Sequence, residues 1–153
     1  MLSTLHTNDA VSTIVRLTNM GVPNFMIASA LTLIVAQRLA RMTCQNCLTD
    51  DDQATESGLL KIGFQKEEIG TFKPKKGSGC NECGQSGYKG RQGIYEVLAK
   101  STELESAILR DARADELLAV SKKNGFRTMQ EIGRNFIKKG ILDIHEYSRI
   151  LVI

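Results

Sequence analysis

Four cysteines place the tightest constraint on how this chain can fold. They stand as Cys44-x-x-Cys47 and Cys80-x-x-Cys83, with thirty-two residues between the pairs. Two residues between cysteines let both thiolates reach one ion from a tight knuckle, and two knuckles complete a tetrahedral four-sulfur site. Thiolates are soft ligands, which favours zinc among the common divalent ions. The stretch between the knuckles holds an acidic run at Asp50, Asp51 and Asp52, a short helical segment near Leu59–Ile62, and Lys73-Pro74-Lys75-Lys76-Gly77. It has too few apolar residues for a core of its own, so ligation would supply its missing folding energy.

The spacer is longer than a usual zinc-ribbon gap, so spacing alone leaves other readings open. Two disulfides need an oxidising compartment. An iron–sulfur cluster would bring redox chemistry that no other motif here supports. A thioredoxin-like centre needs only one of the two pairs. The reading taken is one structural zinc on Cys44, Cys47, Cys80 and Cys83. With all four ligands from protein, no position is open for catalysis, and the metal holds shape.

Composition excludes some classes of function. The net charge is +3, Trp is missing and aromatics make up 5% of the chain. A nucleic-acid binder is expected to carry a stronger basic stripe or a stacking platform, so no nucleic-acid partner is expected. Lys73, Lys75 and Lys76 read as a solvated turn whose charge the nearby aspartates offset. The longest apolar stretch, Phe25 to Ala36, is interrupted by Ser29 and Thr32 and is too short to span a bilayer. Direct membrane insertion is therefore not expected, and any membrane location would come through a partner. No secretory leader is legible, so the cysteines are expected as thiols rather than bridged.

Periodicity predicts a mixed α/β chain. Met1 to Leu5 reads as a strand end. Asn8 or Asp9 can cap a helix carrying Val11, Ile14, Val15 and Leu17 on one face, with Gly21 ending it. Pro23 opens a second helix that runs to about Ala36 and, apolar almost all round, is expected to be buried. Gln37 to Thr43 reads as a strand, residues 84–92 as a Gly-rich loop, and Gly93 to Leu98 as a strand. Four short helices follow. Thr102-x-x-Glu105 starts the first, and the second covers about Ala114 to Lys123, stopping at Asn124-Gly125. Thr128-x-x-Glu131 starts the third, which Gly140 closes, and Asp143-x-x-Glu146 starts the fourth.

Several motifs together resemble a known family. Leu2-Ser3-Thr4-Leu5-His6-Thr7-Asn8-Asp9-Ala10 is similar to the histidine box of the type II secretion and type IV pilus assembly ATPases. The resemblance continues through Arg16-Leu17, Asn19-Met20-Gly21-Val22-Pro23 and Ile34-Val35-Ala36-Gln37-Arg38-Leu39-Ala40-Arg41 into Cys44. It resumes at Gly79-Cys80-Asn81-Glu82-Cys83 and Gly87-Tyr88-Lys89-Gly90-Arg91-Gln92-Gly93-Ile94-Tyr95-Glu96. The Asn-Met-Gly-Val and Tyr-Lys-Gly-Arg wording leans toward the pilus branch. One departure is Gly140-Ile141-Leu142-Asp143-Ile144-His145-Glu146-Tyr147, where the family usually has Gly-x-Thr-Ser-x-Glu-Glu-Val; the helix cap survives the change.

The resemblance implies the C-terminal part of a RecA-like ATPase domain with an inserted tetracysteine zinc module and a helical C-terminal subdomain. Residues 1–43 would end the ATPase core, 44–92 would form the zinc module, and 93–153 the last strand and helical subdomain. It further implies a cytoplasmic homo-hexamer that uses ATP and magnesium and works against an inner-membrane platform protein. His6 would approach the terminal phosphate, to which an imidazole can donate a hydrogen bond. Arg16 would lie at the nucleotide site or its subunit interface, where a planar guanidinium pairs with phosphate oxygens, and Arg91, a loop-to-strand arginine after Gly90, and Arg41 are further candidates for a nucleotide contact. No G-x-x-x-x-G-K-[ST] loop occurs in the chain, so it is not expected to hydrolyse ATP alone. The alternatives are a stand-alone zinc-ribbon module for nucleic acid or protein, and a redox protein.

Overall fold

The computed structural model describes residues 2–151. In chain order the elements are α1 (Ala10–Asn19), α2 (Asn24–Ala30), β1 (Leu33–Thr43), β2 (Leu48–Asp50), α3 (Glu56–Lys61), β3 (Lys75–Gly77), β4 (Tyr88–Ala99), α4 (Thr102–Leu109), α5 (Ala114–Lys123), α6 (Met129–Lys138) and α7 (Ile144–Leu151). Short 3-10 turns at Gln45–Cys47, Lys66–Glu68 and Asn81–Cys83 link them. Strand β1 pairs with β4, and β2 with β3. The chain is thus mixed helix and sheet, as its periodicity predicts. No helix among the described residues is long and apolar enough to cross a membrane.

The chain divides into two compact units: residues up to Gln37 with Tyr95–Thr128, and Arg38–Ile94 with residues from Met129 on. In the first, α1, α2, α4 and α5 enclose Ala10, Val11, Ile14, Ile27, Ala28, Leu104, Ala107, Ile108 and Leu117, with Ile34 and Leu98 from the strands. Asp9 caps α1, its Oδ1 accepting from the Ser12 N–H at 2.7 Å. Ser101 caps α4 through Leu104 N–H at 3.1 Å, one residue ahead of the expected Thr102. Helix α5 covers the span read from the sequence.

In the second unit, Leu59, Ile62 and Phe64 are buried together with Met129, Ile137, Leu142, Tyr147 and Leu151 of the α6–α7 hairpin. Tyr147 is fully buried and donates its hydroxyl toward the Ile62 and Gln130 carbonyls, 3.3 Å each. Close approach of α6 and α7 depends on Gly133, where a Cβ would lie 2.5 Å from Leu151 Cδ1 and 2.8 Å from the Tyr147 ring. The apolar residues of the inter-knuckle segment are therefore shared with the hairpin, which is how a stretch too poor for its own core is ordered.

Four expectations are corrected. Helix α2 ends at Ala30, not near Ala36, and Leu33 already lies in β1. The run Leu31–Ala36 is apolar except at Thr32 and so fits helical and strand periods alike, and its β-branched Thr32, Ile34 and Val35 suit a strand that has β4 to pair with. Nor is the span from Phe25 to Ala36 buried all round: Ile27, Ala28 and Ile34 lie in the core, but Phe25, Met26, Leu33 and Val35 are each half or more exposed. Strand β4 begins at Tyr88, so part of the Gly-rich stretch is extended rather than loop. Leu2 to Leu5 is not strand; a strand requires a ladder, and these residues form none, while Met1 lies outside the described residues.

Candidate functional site

The second unit brings the four cysteines together. Their sulfurs all lie within 4.8 Å of one another. Cys44 and Cys80 are 3.8 Å apart, Cys47 and Cys83 3.9 Å, and Cys80 and Cys83 3.7 Å. Zinc–sulfur bonds of about 2.3 Å at tetrahedral angles put sulfurs about 3.8 Å apart, so the cluster has the dimensions of a four-thiolate metal site. The separations far exceed the roughly 2.05 Å of a disulfide, and all four residues are free cysteines.

Local backbone explains the convergence. Each knuckle closes as a 3-10 turn, with Cys47 N–H to Cys44 O at 3.3 Å and Cys83 N–H to Cys80 O at 3.2 Å. Cross-links then join the knuckles: Cys44 N–H donates to Gly87 O at 2.8 Å and Ser78 N–H to Cys47 O at 2.9 Å. Strands β2 and β3 clamp the base in antiparallel register, Leu48 opposite Gly77 and Asp50 opposite Lys75. Gly77 and Gly87 touch backbone to backbone; a Cβ on Gly77 would sit 2.0 Å from Gly87 O. The aspartates and lysines of the segment pair directly, Lys75 with Asp50 at 2.7 Å and Lys76 with Asp51 at 2.9 Å.

Two of the four sulfurs, those of Cys80 and Cys83, have surroundings that favour the thiolate. Cys83 Sγ receives N–H groups from Cys80 at 3.2 Å and Gly87 at 3.3 Å. Burial raises the Cys83 thiol pKa, but these two N–H donors outweigh it and hold the group at about 6. Asn46 Nδ2, 3.7 Å from Cys80 Sγ, lowers Cys80 as well. Cys47 is pushed up to about 11, chiefly by burial. A cation among four such sulfurs would favour the ionised form of each.

The other predicted residues separate by unit. His6 and Arg16 belong to the first, Arg41 and Arg91 to the second. His6 is exposed in the segment before α1, Arg16 is exposed on that helix, and Arg91 is exposed on β4. Among the described residues, neither Arg16 nor Arg91 forms an ion pair. Arg41 has a different environment. Its Nε and Nη2 donate to Glu146 Oε2 at 3.0 and 2.8 Å, and its guanidinium lies 4.1 Å over the Tyr88 ring.

Two features escaped the sequence reading. Glu146 is fully buried and also takes Arg149, at 2.8 and 2.6 Å. Burial raises its pKa, but the hydrogen bonds from Arg149 and Arg41 prevail and bring it to about 2. Tyr88 donates its hydroxyl to Asp143 Oδ2 at 2.6 Å, and Asp143 Oδ1 caps α7 through Glu146 N–H at 2.7 Å. The Asp-x-x-Glu spacing signalled the cap, but the glutamate serves the two arginines. The other missed residue is Glu96 on β4, 2% exposed, which accepts the Ala10 N–H at 2.8 Å. An acidic residue alternating with Ile94 and Leu98 on the covered face of a strand was the signal for it.

Comparison with known proteins places this geometry in a family. The chain matches the family described as "Type II/IV secretion system protein" over residues 1–149. It is 41% identical over 150 residues to the type IV pilus assembly ATPase PilB of Pseudomonas aeruginosa, covering 98% of this chain and 26% of that protein. It is 33% identical to the type II secretion system protein HxcR of the same organism, covering 98% and 28%. The type II secretion system ATPase E of Vibrio cholerae is 31% identical, with 98% and 29% covered. The chain thus spans about a quarter of the length of the curated relatives it matches. Agreement over nearly its whole length establishes that the chain belongs to the type II/IV secretion system protein family.

Proposed function

We propose that this chain is the C-terminal region of a hexameric, RecA-like motor ATPase that powers type IV pilus assembly. The match over residues 1–149 carries this reading. Identity of 41% to a pilus assembly ATPase, against 31–33% to the secretion proteins, favours the pilus branch. The parent would be cytoplasmic and act on an inner-membrane platform protein, with ATP and magnesium bound by groups outside this stretch. Residues 1–43 would close the ATPase core, 44–92 would form the zinc-holding module, and 93–153 the last strand and helical subdomain.

In that setting zinc on Cys44, Cys47, Cys80 and Cys83 is structural. It pins two knuckles whose sulfur spacing already suits it. His6, with its exposed imidazole, would report on the terminal phosphate. Arg16 and Arg91, exposed and without ion pairs among the described residues, would supply charge to nucleotide or to a neighbouring subunit. Arg41 is held by Glu146, so a nucleotide role for it would require that pair to open.

Deletion and complementation test the branch. Cells lacking the full-length gene should lose surface pili and regain them with the wild-type gene, while secretion through the outer membrane continues. Intact pili with lost secretion would assign the protein to the secretion branch instead.

A further inference from the structure

A buried carboxylate at the start of α1 joins two motifs that the sequence keeps 86 residues apart. The first four N–H groups of a helix lack partners within the helix and carry partial positive charge. In α1, Asp9 satisfies Ser12 from within the loop. Ala10, at the first helical position, donates instead to Glu96 Oε2 at 2.8 Å. Asp9 belongs to the loop and moves with it. Glu96 reaches in from β4 and is 2% exposed. Burying a carboxylate is costly unless donors surround it, and a hydrogen bond to an ionised acceptor is about twice as strong as a neutral one. Thr7 is tied back to the same helix, its Oγ1 2.8 Å from Thr13 Oγ1, while Thr13 Oγ1 also donates to Asp9 O at 3.1 Å. His6 thus has an exposed imidazole on a backbone fixed one residue later at Thr7 and four residues later at Ala10.

We infer that Glu96 is a positioning residue for His6: its buried carboxylate anchors the first turn of α1 and so fixes the segment that presents the imidazole. A phosphate sensor gains from this arrangement because a donor held in place loses little on meeting the charge it detects. The inference rests on the proposed role of His6, but the anchoring itself is measurable without it.

The test uses Glu96→Met, which keeps the volume and removes the acceptor, and Glu96→Gln, which keeps an accepting oxygen. In the metal-loaded 153-residue chain, Glu96→Met should speed amide exchange at Ala10 by about tenfold or more and shift the His6 imidazole signals, while α6 keeps its protection. Glu96→Gln, whose neutral oxygen still accepts but more weakly, should show smaller changes in both. In the full-length ATPase, Glu96→Met should lower kcat by about tenfold with ATP affinity changed less than twofold. Unchanged Ala10 exchange and His6 signals in Glu96→Met would overturn the inference. So would equal losses in the two variants, because Gln keeps an oxygen that can accept the Ala10 N–H and Met does not. If Glu96→Met unmoors His6 while both it and His6→Ala leave kcat intact, the anchoring stands and the phosphate-sensing role falls.

Discussion

Arg41 on β1 and Glu146 on α7 are joined twice over: the guanidinium donates to Oε2 and the Arg41 backbone N–H donates to Oε1 at 2.8 Å. Arg149 closes the other side of the same carboxylate. A fully buried glutamate thus pins the last helix to a strand edge, with Tyr88 stacked on the arginine and bonded to the helix cap Asp143. Glu146→Ala should destabilise the second unit by roughly 2 kcal/mol. This is below the 3–5 kcal/mol of a fully buried pair, because both arginines are about half exposed and can rehydrate. Chemical denaturation of the metal-loaded protein checks the figure; a change under about 0.5 kcal/mol would reduce the cluster to a surface ion pair.

The same carboxylate makes the protein acid-sensitive in a defined window. Its folded pKa, about 2, lies below the ordinary glutamate value of 4.5. Its contribution is therefore complete above the unfolded value and is lost as pH falls from about 4.5 toward 2. Metal-site protonation acts in the acid range too, so the comparison is with Glu146→Gln under identical metal loading. Wild type should lose its advantage over the variant across that window, and a constant difference from pH 6 to pH 2.5 would contradict the assignment.

Gly133→Ala tests the α6–α7 contact. Alanine favours a helix over glycine by about 1 kcal/mol, yet the new methyl would meet the buried Tyr147 ring and Leu151 at under 3 Å. Overpacking typically costs about 1–3 kcal/mol, so net destabilisation of about 1 kcal/mol is expected in a thermal melt. A stabilised variant would mean that the hairpin yields readily at this contact.

The four-cysteine cluster was legible in the sequence because two C-x-x-C pairs fix both the donor type and the local geometry. The ordering of the segment between them was not, since Leu59, Ile62 and Phe64 look too sparse for a core until α6 and α7 are folded over them. Helix caps such as Asp9 and Asp143 were readable for the same local reason. The end of α2 was not, because Leu31–Ala36 is apolar at helical and strand periods alike and only pairing with β4 decides between them. Glu96 and Glu146 escaped because their partners lie 86 and 105 residues away.

Shared packing shapes the response to metal loss. About one zinc per chain is expected by elemental analysis. Cys80→Ser or chelation should raise hydrogen exchange first at residues 44–50 and 75–92, where the metal would cross-link the knuckles. Residues 59–64, packed with α6 and α7, should keep more of their protection. Absence of zinc with disulfides detected by mass would refute the metal centre, and a uniform loss of protection would refute its local reach.

Nucleotide turnover, measured side by side on this 153-residue chain and on the full-length protein, tests the proposed function most directly. Phosphoryl transfer needs a backbone cradle, a lysine and a magnesium ion, and the chain has no phosphate-loop motif. No turnover above blank is expected for the chain alone, and the full-length protein should hydrolyse ATP with magnesium, at a rate that His6→Ala lowers more than it lowers ATP binding. Hydrolysis by the isolated chain, or a full-length protein that neither binds nor hydrolyses ATP, would contradict the proposed function.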